Sequence, residues 1–356
     1  MKSFPTIKPI DKKMFKIELN DPYFQPIMIE TEEQFKEFIQ KLLLNKKYEE
    51  AKDLTQQWIN LKKEHFKLNY HGKFLNLGTK TAVMGIVNVT PDSFSDGNED
   101  YKNINKILKK VEQMLENGAD IIDVGGESTR PGSTPVSVEE ELDRVIPIIK
   151  AIRKNFGDRF LLSIDTYKSS VADVAVSEGA DIVNDISGMT FDDDMAKIVA
   201  KHDCHIVVNH IKGTPQTWKS MEIYYDDVVY EIIEFFKNQI NYGISVGIKP
   251  DRFILDPGIG FGKKVEHNVE IIKRLEEFKI LGLPLMIGIS RKSFLNTILK
   301  NLLNRSDILP KERLSATLGA TAYAVLKGAH IVRVHDVKET TEFLTILDVI
   351  RGYRVG

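Results

Sequence analysis

The residues able to do chemistry collect where short apolar runs give way to polar ones. "AVMGIVN" ends in Asn88 and opens into "VTPDSFSDG", which carries Asp92. "ADIIDVGGESTRPGS" carries Thr129, Arg130 and Pro131; "LLSID" ends in Asp165; "DIVND" ends in Asn184 and Asp185. "CHIVVNH" ends in Asn209 and His210, and "RFILDPGIGFGK" holds Asp256 and Phe261. "PLMIGISRKS" holds Gly288, Lys292 and Ser293, and "AHIVRVHD" holds Arg333, His335 and Asp336. A single aspartate after a strand is ordinarily a cap or a turn former. Eight polar strand ends in one chain point to a common site.

The residue types divide into two chemistries. Lys292 offers a point charge, and Arg333 a planar fork, suited to a phosphate or diphosphate, with His335 beside them. Asp165 and Asp256 offer carboxylates that accept paired N–H bonds from an amino-substituted nitrogen heterocycle, and the Asn184 amide supplies one donor and one acceptor beside them. Asn88, with Asp92 near it, suits a weakly held Mg2+ completed by water and phosphate oxygens. No cysteine and histidine cluster suggests zinc.

Those residues need elements to hold them together. "ENGADIIDVGGES", "SEGADIVNDISG" and "LKGAHIVRVHDV" repeat one unit: a glycine (Gly118, Gly179, Gly328) ending a helix, then an apolar strand with a polar exit. Eight apolar strands separated by helical stretches predict an α/β fold with a parallel sheet covered by helices. The number eight favours a closed (β/α)8 TIM barrel over residues 68–356, its site at the C-terminal ends of the strands. The G-x-G-x-x-G fingerprint of the open dinucleotide-binding fold is absent after the first strand.

Residues 1–67 read as a small N-terminal α-helical extension. Thr31 and Gln34 form a capping box, followed by Phe35, Phe38, Ile39 and Leu42 at helical spacing. A second helix carries Tyr48, Ala51, Leu54, Trp58 and Leu61. Its residue types point to packing or assembly.

Composition narrows the class. Hydrophobic residues are 42%, charged residues 28% and the formal net charge is −2, which gives no electrostatic reason to expect nucleic acid or an acidic membrane. The one cysteine, Cys204, permits no intrachain disulfide and reads as a buried thiol. No run has signal-peptide or membrane-spanning character, so a soluble, cytoplasmic protein is expected.

"MGIVNVTPDSFSDG", "DIIDVGGESTRPGS", "SIDTYK", "IVNDISG", "ILDPGIGFGK", "GISRKSFL" and "VRVHDV" together resemble the successive motifs of the dihydropteroate synthase family, over about residues 68–356. The resemblance implies condensation of a dihydropterin methyl diphosphate with 4-aminobenzoate, releasing pyrophosphate through a pterin cation. It implies pterin binding by Asp165, Asn184, Asp256, Gly288 and Lys292, and diphosphate binding by Asn88, Arg333 and His335. It further implies 4-aminobenzoate binding by Thr129, Arg130, Pro131, Phe261 and Ser293, and Mg2+ at Asn88. Asp92, Asp165, Lys292 and Arg333 are then the catalytic candidates. The opening loop after Asn88, otherwise a plain connector, would shelter the reacting carbon. A homodimer and sulfonamide sensitivity are expected. One departure is Asn209, in "NHIKG", where the family carries a methionine against the pterin. Methyltetrahydrofolate-dependent methyltransferases share a pterin-binding barrel but need no diphosphate anchor. A non-catalytic pterin-binding homologue is the reading of another class.

Overall fold

The computed structural model describes residues 4–10, 14–21, 24–90, 103–129, 132–218 and 220–353. Its centre is a ring of eight parallel strands: β6 Ala82–Asn88, β7 Ile121–Gly125, β8 Leu161–Asp165, β9 Ile182–Asp185, β10 His205–Asn209, β11 Phe253–Asp256, β12 Met286–Ile287 and β13 Ile331–Val334. Neighbours follow chain order from β6 to β11, and β13 joins β6 to β12. A single bridge, Leu255 to Leu285, brings β11 to the start of β12 and closes the ring. The expected (β/α)8 barrel is present, with every proposed strand in it.

The helices are α3 Ile104–Glu116, α4 Val138–Phe156, α5 Ser169–Ser177, α6 Met195–His202, α7 Val228–Val246, α8 Val265–Lys273, α9 Ser293–Leu303, α10 Leu314–Leu326 and α11 Val337–Ile350. They pack on the outward strand residues, where Phe236, Phe253 and Phe278 are fully buried. Each such side chain stabilises the fold by about 1.5–3 kcal/mol. Gly118, Gly179 and Gly328 all have positive φ just past a helix end, the left-handed geometry that stops the helix and aims the chain into the next strand. No helix among the described residues is long and apolar enough to cross a membrane.

The N-terminal unit adds a small sheet to the expected helical extension. Three short antiparallel strands, β1 Thr6–Pro9, β2 Phe15–Glu18 and β3 Ile27–Ile29, precede the two expected helices, α1 Glu32–Leu44 and α2 Tyr48–Leu61. At three or four residues each, these strands are too short for their alternation to stand out. The Thr31–Gln34 capping box is formed, and Phe35, Phe38, Leu42, Ala51, Leu54, Trp58 and Leu61 are buried. Tyr48 is exposed. The unit is fastened to the barrel's flank: Phe4 stacks on Tyr230, and the Asn60 amide donates to the Ile280 carbonyl at 2.7 Å.

A hairpin, β4 Phe66–Tyr70 and β5 Lys73–Leu77, follows and straddles the boundary expected at residue 67. Its Leu68 and Leu77 pack under the barrel against Met84, Ile121, Leu161, Ile182, Val207, Ile254, Met286 and Ile331. One end of the barrel is thus sealed by apolar side chains. Chemistry is left to the other.

Candidate active site

Strand alternation builds the site directly from that seal. Residues two apart on a strand face the same side, so each apolar plug residue has a same-face neighbour one step toward the C-terminal mouth. Ile121 is followed by Asp123, Ile182 by Asn184, Val207 by Asn209, Ile254 by Asp256, and Ile331 by Arg333. On β8 the same rule takes Leu161 through Ser163 to Asp165. A polar layer therefore lies on an apolar floor.

Arg333 organises this layer. Its Nε donates to Asp123 Oδ2 at 2.7 Å and its Nη2 to Asp165 Oδ2 at 2.5 Å. Asn184 Nδ2 adds a bond to Asp123 Oδ2 at 3.1 Å. Asp123 Oδ1 and Ser163 Oγ are buried without a partner among the described residues. One guanidinium thus serves two carboxylates. Burial pushes the Asp165 carboxyl up to about 7; Arg333 opposes this, while Asp123, Glu141 and Asp185 add to it. The two sides expected from sequence, heterocycle and phosphate, meet in the Arg333–Asp165 pair.

Asp256 is buried and its Oδ1 accepts the Gly258 N–H at 2.8 Å. The tight turn needs glycine: Gly258 has φ +71°, and a Cβ there would fall 1.9 Å from the His210 carbonyl oxygen. Burial raises the Asp256 pKa, opposed by that hydrogen bond and by Lys292, Arg333 and Lys263. Lys292 lies over the Phe261 ring at 4.0 Å, its pKa pushed down to about 8 by burial and by Arg333. Gly288 faces the gap between these groups; a Cβ there would stand 4.0 Å from both Asp256 Oδ2 and Arg333 Cβ. Asn209 is tied back to the protein through its Nδ2, which donates to the Ile186 carbonyl at 2.6 Å. Lys263 is buried below, donating to the carbonyls of His210 and Phe261 at 3.1 Å each and meeting His210 Nδ1 at 2.9 Å.

Toward β6 and β13 the charge is positive. His335 meets Ser290 through Nδ1 at 3.0 Å and through its backbone N–H at 3.2 Å. Burial, with the nearby cations Arg291, Arg333, Lys110 and Lys292, pushes the imidazole down to about 3. Arg291 pairs with Asp336 through two nitrogens. Lys110, from α3, donates to the Ile86 carbonyl at 3.1 Å. Asn88 ends β6 partly buried, and its side-chain amide makes no hydrogen bond among the described residues.

Thr129 stands partly buried after β7. Just before it, Glu127 accepts from Tyr167 Oη at 2.9 Å and pairs with Lys168, which also pairs with buried Glu141. Ser293 opens α9 and is exposed. Asp92, Arg130 and Pro131 lie outside the described residues.

Asp123 and Lys110 escaped the reading of strand ends, while Lys263 in "GFGK" and Ser290 in "SRKS" stood inside the quoted ends without an assigned role. Asp123 had a signal, a lone charge inside the apolar run "DIIDVG", two positions after a core isoleucine. Lys263 stands in the quoted "GFGK" beside three glycine-ordered turns. Ser290 and Lys110 depend on contacts between elements far apart in the chain.

Comparison with known proteins places this geometry. Residues 84–335 match the family model described as pterin binding enzyme. The chain is similar to the dihydropteroate synthase of Synechocystis sp., 44% identical over 273 residues, covering 77% of this chain and 91% of that protein. It also resembles the crystal structure of the Yersinia pestis dihydropteroate synthase with a sulfonamide drug complex: TM-score 0.74 and 39% identity, covering 81% of this chain and all of that one. A third relative, the Xanthomonas albilineans dihydropteroate synthase with 4-aminobenzoic acid, gives a TM-score of 0.72 at 37% identity, covering 81% of this chain and 98% of that one.

Proposed function

The chain belongs to the dihydropteroate synthase family, and from that membership we propose how its own residues divide the work. The enzyme is a transferase of folate biosynthesis that condenses a dihydropterin methyl diphosphate with 4-aminobenzoate to give dihydropteroate and pyrophosphate. The observation that carries the assignment of roles is the Arg333 guanidinium joined to Asp123 and Asp165 in one polar layer with Asn184 and Asp256.

The pterin ring lies on this layer. Its N–H groups donate to Asp256 and Asp165, its acceptors meet Asn184 and Lys292, and Gly288 leaves room for its edge. Arg333, whose Nη1 has no protein partner among the described residues, turns that nitrogen to the diphosphate together with His335. The carbon–oxygen bond then breaks with its electron pair on the leaving oxygen, leaving a methylene cation delocalised over the ring. The Asp165 carboxylate stabilises that charge. The neutral amine of 4-aminobenzoate, held by Thr129, Arg130, Pro131, Phe261 and Ser293, forms the new carbon–nitrogen bond and loses a proton. Asp92 and the loop around it keep water from the cation.

A Mg2+ ion fits this arrangement. Asn88 offers one unengaged amide oxygen, and among the described residues no cluster of three or more acidic, histidine or cysteine side chains would bind a metal by itself. Mg2+ usually keeps several waters and takes much of its coordination from substrate phosphate oxygens, so few protein ligands are needed. When bound there, the ion would neutralise leaving-group charge.

Further parts of the proposal concern setting. The protein works in the cytoplasm, in keeping with its single buried thiol. It acts as a homodimer through the exposed apolar residues Leu302, Leu303, Tyr323, Leu326, Ile346 and Ile350 of α9, α10 and α11. Sulfonamides compete with 4-aminobenzoate. The test is turnover of purified protein with both substrates and Mg2+: dihydropteroate and pyrophosphate must form in equal amounts. Pterin binding without pyrophosphate release would instead support a non-catalytic homologue.

A further inference from the structure

Ser290 and His335 meet across the neighbouring strands β12 and β13, and their two contacts can be counted proton by proton. The backbone N–H of His335 can only donate, so Ser290 Oγ accepts it at 3.2 Å. Ser290 Oγ also lies 3.0 Å from His335 Nδ1. These are the hydroxyl's only partners among the described residues, so Nδ1 is the one protein acceptor there within reach of its own proton. Donated to Nδ1, that proton makes the ring nitrogen an acceptor. A neutral imidazole with Nδ1 accepting carries its proton on Nε2. Nε2 has no protein partner among the described residues.

We propose that Ser290 is a positioning residue that fixes His335 as the neutral Nε2–H tautomer, so that His335 meets the leaving diphosphate as a hydrogen-bond donor rather than as a cation. The inference rests on the placement of the diphosphate at His335 given above. The surroundings agree with it. Arg291, Arg333, Lys110 and Lys292 all oppose a second proton on the ring. Ser290 itself is buried, so water does not compete for its hydroxyl. Fixed cations thus supply the charge for the leaving group, and the imidazole adds a directed donor whose proton is in place before substrate arrives.

The test is spectroscopic. In protein labelled with 15N-histidine at neutral pH, long-range proton–nitrogen correlations report the state of each ring nitrogen, with His335 assigned through loss of its signals in His335→Gln. The wild type should show a bare Nδ1 and a protonated Nε2. In Ser290→Ala the signals should move toward a mixture of tautomers. Pyrophosphate binding should then weaken about tenfold, the loss of one hydrogen bond's worth of orientation, while affinity for a pterin stays unchanged. Ser290→Thr should restore both. An imidazolium or an Nδ1–H tautomer in the wild type overturns the proposal, even if Ser290→Ala fails to fold. So does a Ser290→Ala protein with wild-type tautomer and wild-type pyrophosphate affinity. The tautomer is read without substrate, so absence of dihydropteroate formation by the wild type would count against the functional reading separately.

Discussion

The Arg333 guanidinium donates to the Asp165 carboxylate from Nη2 at 2.5 Å. A group expected to hold the leaving diphosphate is thereby tied to the group expected to face the developing cation. Opposite charges appear on the substrate when its carbon–oxygen bond breaks, and this pair already separates the matching charges. With Asp123 on its Nε, Arg333 compensates two carboxylates with one positive charge. Burial pushes the Asp165 carboxyl up to about 7, Arg333 opposes this, and the neighbouring Asp123 adds to it.

Activity should follow that carboxyl. Only ionised Asp165 stabilises a cation, so kcat/KM should rise with pH through about 7, the value of the free enzyme. Asp123→Asn removes a like charge and should move this limb to lower pH. A pH–rate profile of both proteins checks it; an unmoved limb would detach Asp165 from the rate. Stability should run the other way. The folded protein holds the proton between about 4, where an unfolded aspartate ionises, and about 7. This contribution is complete below that window and lost as pH rises through it.

Removing Arg333 should cost the fold as well as the chemistry. Arg333→Ala leaves buried Asp123 and partly buried Asp165 without their shared cation, a loss approaching the roughly 3–5 kcal/mol of breaking a buried pair. Urea unfolding should show it, and a second change, Asp123→Asn, should recover part of it. Additive losses in the double variant would mean the two residues do not interact.

Asn209→Met would install the residue usual in the family at a position already committed to structure. The Asn209 amide satisfies the Ile186 carbonyl at 2.6 Å, and methionine cannot. Stability should fall by roughly 1–3 kcal/mol, the cost of a buried polar group left unpaired. Pterin affinity should change less than that, since the amide nitrogen is already committed to the Ile186 carbonyl. Thermal unfolding and calorimetric titration separate the two quantities.

The N-terminal unit carries none of the strand-end residues, so protein lacking residues 1–62, with the hairpin kept, should still form dihydropteroate. It should unfold more readily, because the stack of Phe4 on Tyr230 and the Asn60 bond to Ile280 are lost. Loss of turnover in a truncated protein that remains folded would assign the unit a part in catalysis.

The barrel was legible because each strand is a continuous apolar run and because Gly118, Gly179 and Gly328 mark where helices stop. Asp165, Asn184, Asp256 and Arg333 were legible because they terminate those runs. Asp123 was hidden inside one, visible only when two-residue alternation is followed from the apolar floor upward. Ser290 and Lys110 act through neighbours brought together by β12, β13 and α3, and no local pattern announces such contacts. In β1 to β3 the pairing is local, yet each strand is shorter than the period-two signal needs.

The central claim is that Asp165 stabilises charge in the transition state rather than merely anchoring the pterin. Single-turnover bond breaking by Asp165→Asn, measured beside equilibrium pterin binding, tests it most directly. Asparagine keeps the shape and most hydrogen-bonding capacity but lacks the anion. The saturated rate should fall by about 3 kcal/mol, on the order of a hundredfold, with a smaller change in pterin affinity. A saturated rate equal to that of the wild type, with any loss confined to binding, would contradict the claim.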